Sequence, residues 1–509
     1  MNDRRFKNLI IAVLLLAFSA CTKQGKENME LKINIPEVTI NYDPQKMEDM
    51  FSMMMALQLF RGLMRYDAAG EIQSDLAAHW ETSKDNLTYK FKLKDSTFSN
   101  GKPITSHNVQ MTFARMFFLG SSIAADIDYI AGAKEFKATQ DLSKLGVRPI
   151  NDKEVEFTLS HPSALFLKHI AVADCSILPL DDFKADLDLG ATGAYSGPYK
   201  IKSLVGKNEF HIEKWREDAL DSKNPPKEVV FFKSSALGMD LAKDQLTDSL
   251  DAQPVSKTDT EMLAKSGWIS SPTELTGETF IILNPKHIPL EARRYLYLKT
   301  NPKELVTILG EPKFKAAFGL IPVGLSGDLQ ELDVVDLRKE KAEYKGKKIS
   351  FKIDYDPESE VNAKAAEWLK KVWSSDKIEV VLNGLPKGEK LDRMFGKKAE
   401  ATIGRKGVDY PDGFSVLTYF KGQYASNYFH VEDKEVDQAI GQSLQIADLA
   451  KRTESYKNIQ KLILKHYTNI PLFFGSQASG LWSSKVSRVP SHPMGIHTMP
   501  FEVIEMRAK

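Results

Sequence analysis

The sequence predicts an α/β protein built from several layers. Three observations carry this. Apolar and polar residues alternate in short runs that read as strands. Apolar residues recur at helical spacing between those runs. The two kinds follow one another over 509 residues without an internal repeat. A helical bundle would show only the longer period and a sandwich only the shorter. At 42% hydrophobic and 27% charged, the chain has enough apolar material for more than one core.

Each element can be justified in order. Arg4, Arg5 and Lys7 precede an apolar run from Leu9 to Phe18, then small residues Ser19 and Ala20, then Cys21. The run is too short to span a bilayer comfortably, and the layout is that of an export signal over 1–20. Residues 21–30 are largely polar and read as a tether. Leu31 to Val38 reads as a strand. In Thr88 to Leu93, Tyr89, Phe91 and Leu93 fall on one face, and Lys90 and Lys92 on the other. Thr105 is a good N-cap, and Val109, Phe113 and Phe117 recur every fourth residue after it. Val155, Phe157 and Leu159 alternate as a strand. Glu360 to Trp373 is amphipathic, with Val361, Ala365, Leu369 and Val372 on one face, and Ile378 to Val381 follows as a strand. Glu435 to Tyr467 reads as two consecutive helices.

Composition and motifs exclude several function classes. Lys plus Arg is 69 and Asp plus Glu is 68, which leaves no overall basic footprint for nucleic acid. There are two cysteines, Cys21 and Cys175. If Cys21 is modified, Cys175 stands alone and reads as a buried, inert thiol. His430, His492 and His497 have no recognised metal-ligand spacing, so neither metal nor cofactor is expected. The chain has no G-x-S-x-G, H-E-x-x-H or C-x-x-C. Ser374 and Lys377 form an S-x-x-K match of the kind expected by chance, with no organised base.

Several blocks, in order, resemble a known family. They are Asn41-Tyr42-Asp43-Pro44; Leu59-Phe60-Arg61-Gly62-Leu63; Leu76 to Asp85; and Leu87 to Lys94 running into Phe98 to Thr105. Further on come Gly197-Pro198-Tyr199-Lys200-Ile201; Ile281 to Asn284; Glu291 to Arg294; Ile321-Pro322; Val408-Asp409-Tyr410-Pro411-Asp412; Val436-Asp437 with Arg452; and Ile470 to Phe473. Together they resemble the peptide- and nickel-binding proteins of ABC importers, the extracellular solute-binding family 5. The segment around Cys21 is similar to a bacterial lipobox, with Phe18 where Leu is usual.

The resemblance implies the two-lobed, type II periplasmic-binding-protein fold with an extra subdomain inserted in lobe I. Lobe I is expected over 31–58, 181–255 and 476–509, the insert over 59–180 and lobe II over 256–475. It further implies a monomeric substrate-binding component that captures a short peptide between hinged lobes and delivers it to permease subunits. The protein would be held to a bacterial membrane through lipid on Cys21 and would bind no nucleic acid. A scaffold lipoprotein without ligand, a nickel-chelate binder and a cell-wall peptide hydrolase are the alternatives.

Asp409 matches the family position that holds a ligand's α-ammonium; its other reading is a turn cap before Pro411. Arg405 lies one residue from a family arginine and otherwise reads as a surface residue. Tyr42 and Asp43 border the expected cleft or form an Asx turn. Tyr195, Tyr410, Phe414 and Trp482 belong to cleft-facing blocks, where aromatic walls suit unselective pockets, or to the core. The family carries an aromatic shortly before the Asp409 block; here stand Gly404-Arg405-Lys406-Gly407.

Overall fold

A computed structural model describes residues 29–35, 41–47, 50–190, 192–206, 208–216, 222–234, 238–250, 255, 257–271, 277–311, 313–422, 427–475, 480–490, 492, 494 and 498–507. The export segment, Cys21 and His497 lie outside them.

Local sequence explains the predicted elements. The helix Ser106–Leu119 starts where the Asn108 side chain accepts from the Thr105 backbone N–H at 2.9 Å, and stops at Gly120, whose φ of 68° suits glycine. The helix Glu360–Trp373 is capped by Ser359 and buries Val361, Ala365, Leu369 and Trp373. Trp373 also donates its indole N–H to the Leu296 carbonyl at 3.1 Å, tying that helix to Leu290–Lys299. The expected pair of helices after residue 435 is Lys434–Ser443 and Leu449–Leu464.

Three sheets organise the chain. In lobe I the order is Glu30–Ile35, Glu228–Lys233, Glu209–Lys214, Tyr199–Val205, with the first pair parallel and the others antiparallel. The insert is an antiparallel sheet, Ala77–Thr82, Thr88–Leu93, Glu154–Thr158, Val147–Asn151, under the helix Ser106–Leu119. Phe157 meets Phe113 edge-on at 4.9 Å in that layer. Lobe II is a six-stranded mixed sheet in the order Lys315–Ala316, Asn469–Phe474, Glu278–Leu283, Ala401–Lys406, Ile349–Tyr355, Ile378–Gly384. Its central strands Glu278–Leu283 and Asn469–Phe474 are buried along their whole length, as strands covered on both faces must be. The sheet begins later than the expected boundary at 256. Leu263 and Trp268 instead share a small core with Ala242, Leu250 and Leu481 on the lobe I side.

The residues that flank the two expected crossings are paired with one another. On the lobe I side Ser271 N–H donates to the Gly480 carbonyl at 2.7 Å; on the lobe II side Gly475 N–H donates to the Gly277 carbonyl at 3.0 Å. The tail then packs on lobe I. Phe501 stacks on Phe231, and its N–H donates to Gln58 Oε1 at 2.6 Å. Arg61 is paired with the buried Glu502 at 2.7 Å.

Candidate functional site

The strand Ala401–Lys406 delivers Lys406 to the lobe edge, and the chain turns through Asp409 into the short helix Phe414–Leu417. The turn is held from within: Asp409 N–H donates to Ser415 Oγ at 2.8 Å, and Phe414 N–H donates to Asp412 Oδ1 at 3.0 Å. This segment lies against the insert. Lys168 Nζ binds Asp412 Oδ2 at 3.0 Å, Thr418 Oγ1 donates to Asp126 Oδ1 at 2.6 Å, and Ala164 N–H donates to the Leu444 carbonyl at 3.0 Å. A buried chain runs from Tyr129 through His169 to Tyr410. Tyr129 Oη is 2.8 Å from His169 Nδ1, and His169 Nε2 is 3.1 Å from Tyr410 Oη. Burial drives the His169 pKa down to about 3, so the ring is neutral and has one N–H and one acceptor for the two phenols.

Beside these contacts lies a group of charged side chains. Asp409 is solvent-accessible, yet surrounding atoms enclose the carboxyl closely enough to raise its pKa, and Lys406 opposes that rise. Tyr419 Oη donates to Asp409 Oδ2 at 2.5 Å, and Lys406 Nζ lies over the Tyr419 ring. Lys406 Nζ is itself buried without a hydrogen-bond partner. Desolvation lowers its pKa to about 7 against the pull of Asp409, Asp126 and Glu278. Glu278 sits opposite Lys406 in the sheet, is 4% exposed, and has Oε1 unpaired. Burial pushes its pKa well up. The insert contributes Asp126 and Asp174. Asp174 accepts from Ser122 Oγ at 2.9 Å and is pushed up to about 7, chiefly by desolvation, with Asp409 and Asp126 adding to the rise. Carboxyls from both lobes therefore converge on one place.

The sequence-derived residues are distributed unevenly around it. Asp409 is exposed and belongs to this group. Arg405 is exposed at the lobe II end of the crossings, where its guanidinium donates to the Gly475 carbonyl at 3.2 Å. Asp43 is buried and committed to Arg115, which donates to both its oxygens at 3.0 and 2.6 Å, so its charge is satisfied inside lobe I. Tyr42 packs edge-on to Phe210 at 5.6 Å. Tyr195, Tyr410, Phe414 and Trp482 are at most 1% exposed, which assigns them to packing in this arrangement instead of an open aromatic wall. The Tyr195 hydroxyl donates to the Gly190 carbonyl, and Trp482 Nε1 donates to Ser271 Oγ beside the crossings. Lys406, Tyr419, Glu278, Asp126 and Asp174 were not singled out from sequence. Only Lys406 carried a local signal, a lysine three residues before Asp409 at a strand end.

Other chemistry is thin. Cys175 is buried, with its thiol against the His169 carbonyl at 3.4 Å. His492 is buried and bonded to Thr498. Among the described residues no group of three His, Cys, Asp or Glu side chains is placed to hold a metal ion. Lys377 of the S-x-x-K match donates to the Lys345 carbonyl at 3.2 Å.

The model of the bacterial extracellular solute-binding proteins, family 5 Middle, matches residues 71–428. The chain belongs to this family. As a solute-binding protein it captures its ligand and does not convert it. It is 25% identical over 453 residues to the probable D,D-dipeptide-binding periplasmic protein DdpA of Escherichia coli, covering 81% of this chain and 82% of that one. It is 24% identical to the oligopeptide-binding protein OppA of Bacillus subtilis, covering 91% and 93%. Among solved structures, Haemophilus influenzae OppA in complex with RPPGFSPFR superposes with a TM-score of 0.74 at 18% identity, covering 94% of this chain and 99% of that one. The family-5 fold is thus two-lobed with the insert, as the resemblance implied.

Proposed function

We propose that this protein is the substrate-binding component of an ABC importer, and that it captures a short peptide, from a dipeptide to about a pentapeptide, between its lobes. The observation that carries the reading is Asp409, an accessible carboxylate beside charged groups of both lobe II and the insert. A peptide's ammonium there would form a charge-assisted hydrogen bond worth roughly 1.5–3 kcal/mol. The relatives named above, which carry dipeptide and oligopeptide in their names, support the peptide class. Thermal melting with a library of two- to five-residue peptides tests it: a shift is expected with peptides. A shift with a sugar or a metal chelate and none with any peptide would replace the ligand class. No shift with anything would favour a scaffold.

The same proposal includes a lipid anchor on Cys21, supported by the signal-like layout before it. Among the described residues no helix is long and apolar enough to cross a membrane. Cys21→Ala is expected to free the protein from membranes or leave an unprocessed precursor. Unchanged membrane retention through a high-salt wash would reject the anchor.

A further inference from the structure

We propose that Lys406 is a specificity-determining residue: its ammonium is an internal rival of the ligand's amino end for Asp409, so the cleft does not favour a free amino terminus over a blocked one. This rests on the peptide reading above.

Four observations carry it. Lys406 and Asp409 are three residues apart, and both contact Tyr419, the ring facing the ammonium and the hydroxyl bonding the carboxylate. Asp409 is the strongest charge acting on Lys406, and Lys406 the only one acting appreciably on Asp409. Lys406 Nζ is buried with no acceptor, a costly state that a swing toward Asp409 would relieve. Its cross-strand neighbour Glu278 is buried with Oε1 unpaired, burial disfavours its charged form, and its pull on Lys406 is weaker than that of Asp409.

The consequence is an exchange. A ligand ammonium reaching Asp409 must either displace Lys406 or share one carboxylate with it. Sharing brings two like charges together around one carboxylate, and displacement returns Lys406 to its unpartnered state. Either way much of the value of the ammonium contact is offset. A ligand without an ammonium leaves Lys406 free to swing onto Asp409. The flexible stem of lysine permits the swing, whereas an arginine or an aromatic at this position would act differently.

Trialanine and pentaalanine, each free and N-acetylated, are titrated calorimetrically into the native protein and into Lys406→Met and Lys406→Gln. Native protein is expected to bind the free and acetylated forms within about threefold of each other. Both variants should bind the free forms about tenfold more tightly and the acetylated forms unchanged, and Asp409→Asn added to either variant should abolish that gain. Native preference for the free amine by tenfold or more, or variants that move both forms equally, would overturn the inference while leaving the peptide reading intact. Failure of every form to bind native and variant proteins that melt cooperatively would overturn the peptide reading, and this inference with it.

Discussion

Asp174 shows what one residue's surroundings do to it. Its carboxyl is pushed up to about 7 by desolvation, with the Ser122 hydrogen bond working the other way. The sign follows from proton counting. Between about pH 4 and 7 the folded protein holds this proton and the unfolded chain does not, so stability falls as pH rises through that window. Asp174→Asn keeps an oxygen for Ser122 and removes the titration. The variant is expected to gain on the native protein from about pH 4 to 7 and to run parallel above it, as read from denaturation midpoints across a pH series. Curves parallel throughout would show that the carboxyl titrates normally. His169 complements it: with its pKa near 3, the Tyr129–His169–Tyr410 chain persists unprotonated through the same window.

At the scale of elements, what could be read in advance was what neighbouring residues decide. Thr105 and Asn108, or the four-residue recurrence of Val361, Ala365 and Leu369, are contained within a few turns, so both helices were legible. The insert strand Thr88–Leu93 was legible because one buried face imposes alternation. The candidate site was less so. Asp409 was legible by resemblance, but Asp43 meets Arg115 from 72 residues away, and no local pattern announces that pairing. Glu278 faces Lys406 only because of the register of two strands far apart in sequence. The crossings allow a prediction at this scale. Gly475 has φ 119°, and a Cβ there would lie 2.8 Å from the Lys313 carbonyl oxygen. Gly475→Ala therefore meets both backbone strain and a backbone clash, and is expected to cost about 1–3 kcal/mol in chemical denaturation. A cost under half a kcal/mol would mean that the crossing accommodates a side chain freely.

For the molecule as a whole, capture means that ligand must favour the closed arrangement over an open one. Moving a hinge from 1:99 to 99:1 takes about 5.5 kcal/mol of differential affinity, more than one ammonium contact provides. The remainder has to come from main-chain hydrogen bonds and buried area on both walls. Direct lobe-to-insert bonds, Lys168 to Asp412 and Thr418 to Asp126, already favour closure and reduce what a ligand must add. The tail offers a test of whole-molecule integrity. Arg61 and Glu502 are both buried, and Asp75 lies 3.6 Å from the same guanidinium, so removing Glu502 takes away one of two carboxylates facing Arg61, a loss of about 1–3 kcal/mol. Glu502→Ala is expected to lower stability by about that much. An unchanged denaturation midpoint would show that Arg61 finds other company.

That same pairing has a consequence in time. Arg61 precedes Glu502 by 441 residues, and Phe501 adds a second face to Phe231, which is already stacked on Phe210. A ribosome releasing this chain from its first residue onward therefore completes this lobe I contact only after the strands of lobe II have been made. Lobe II, whose strands lie between residues 278 and 474, has all its sheet partners earlier. The part begun first is therefore a part whose native contacts close late.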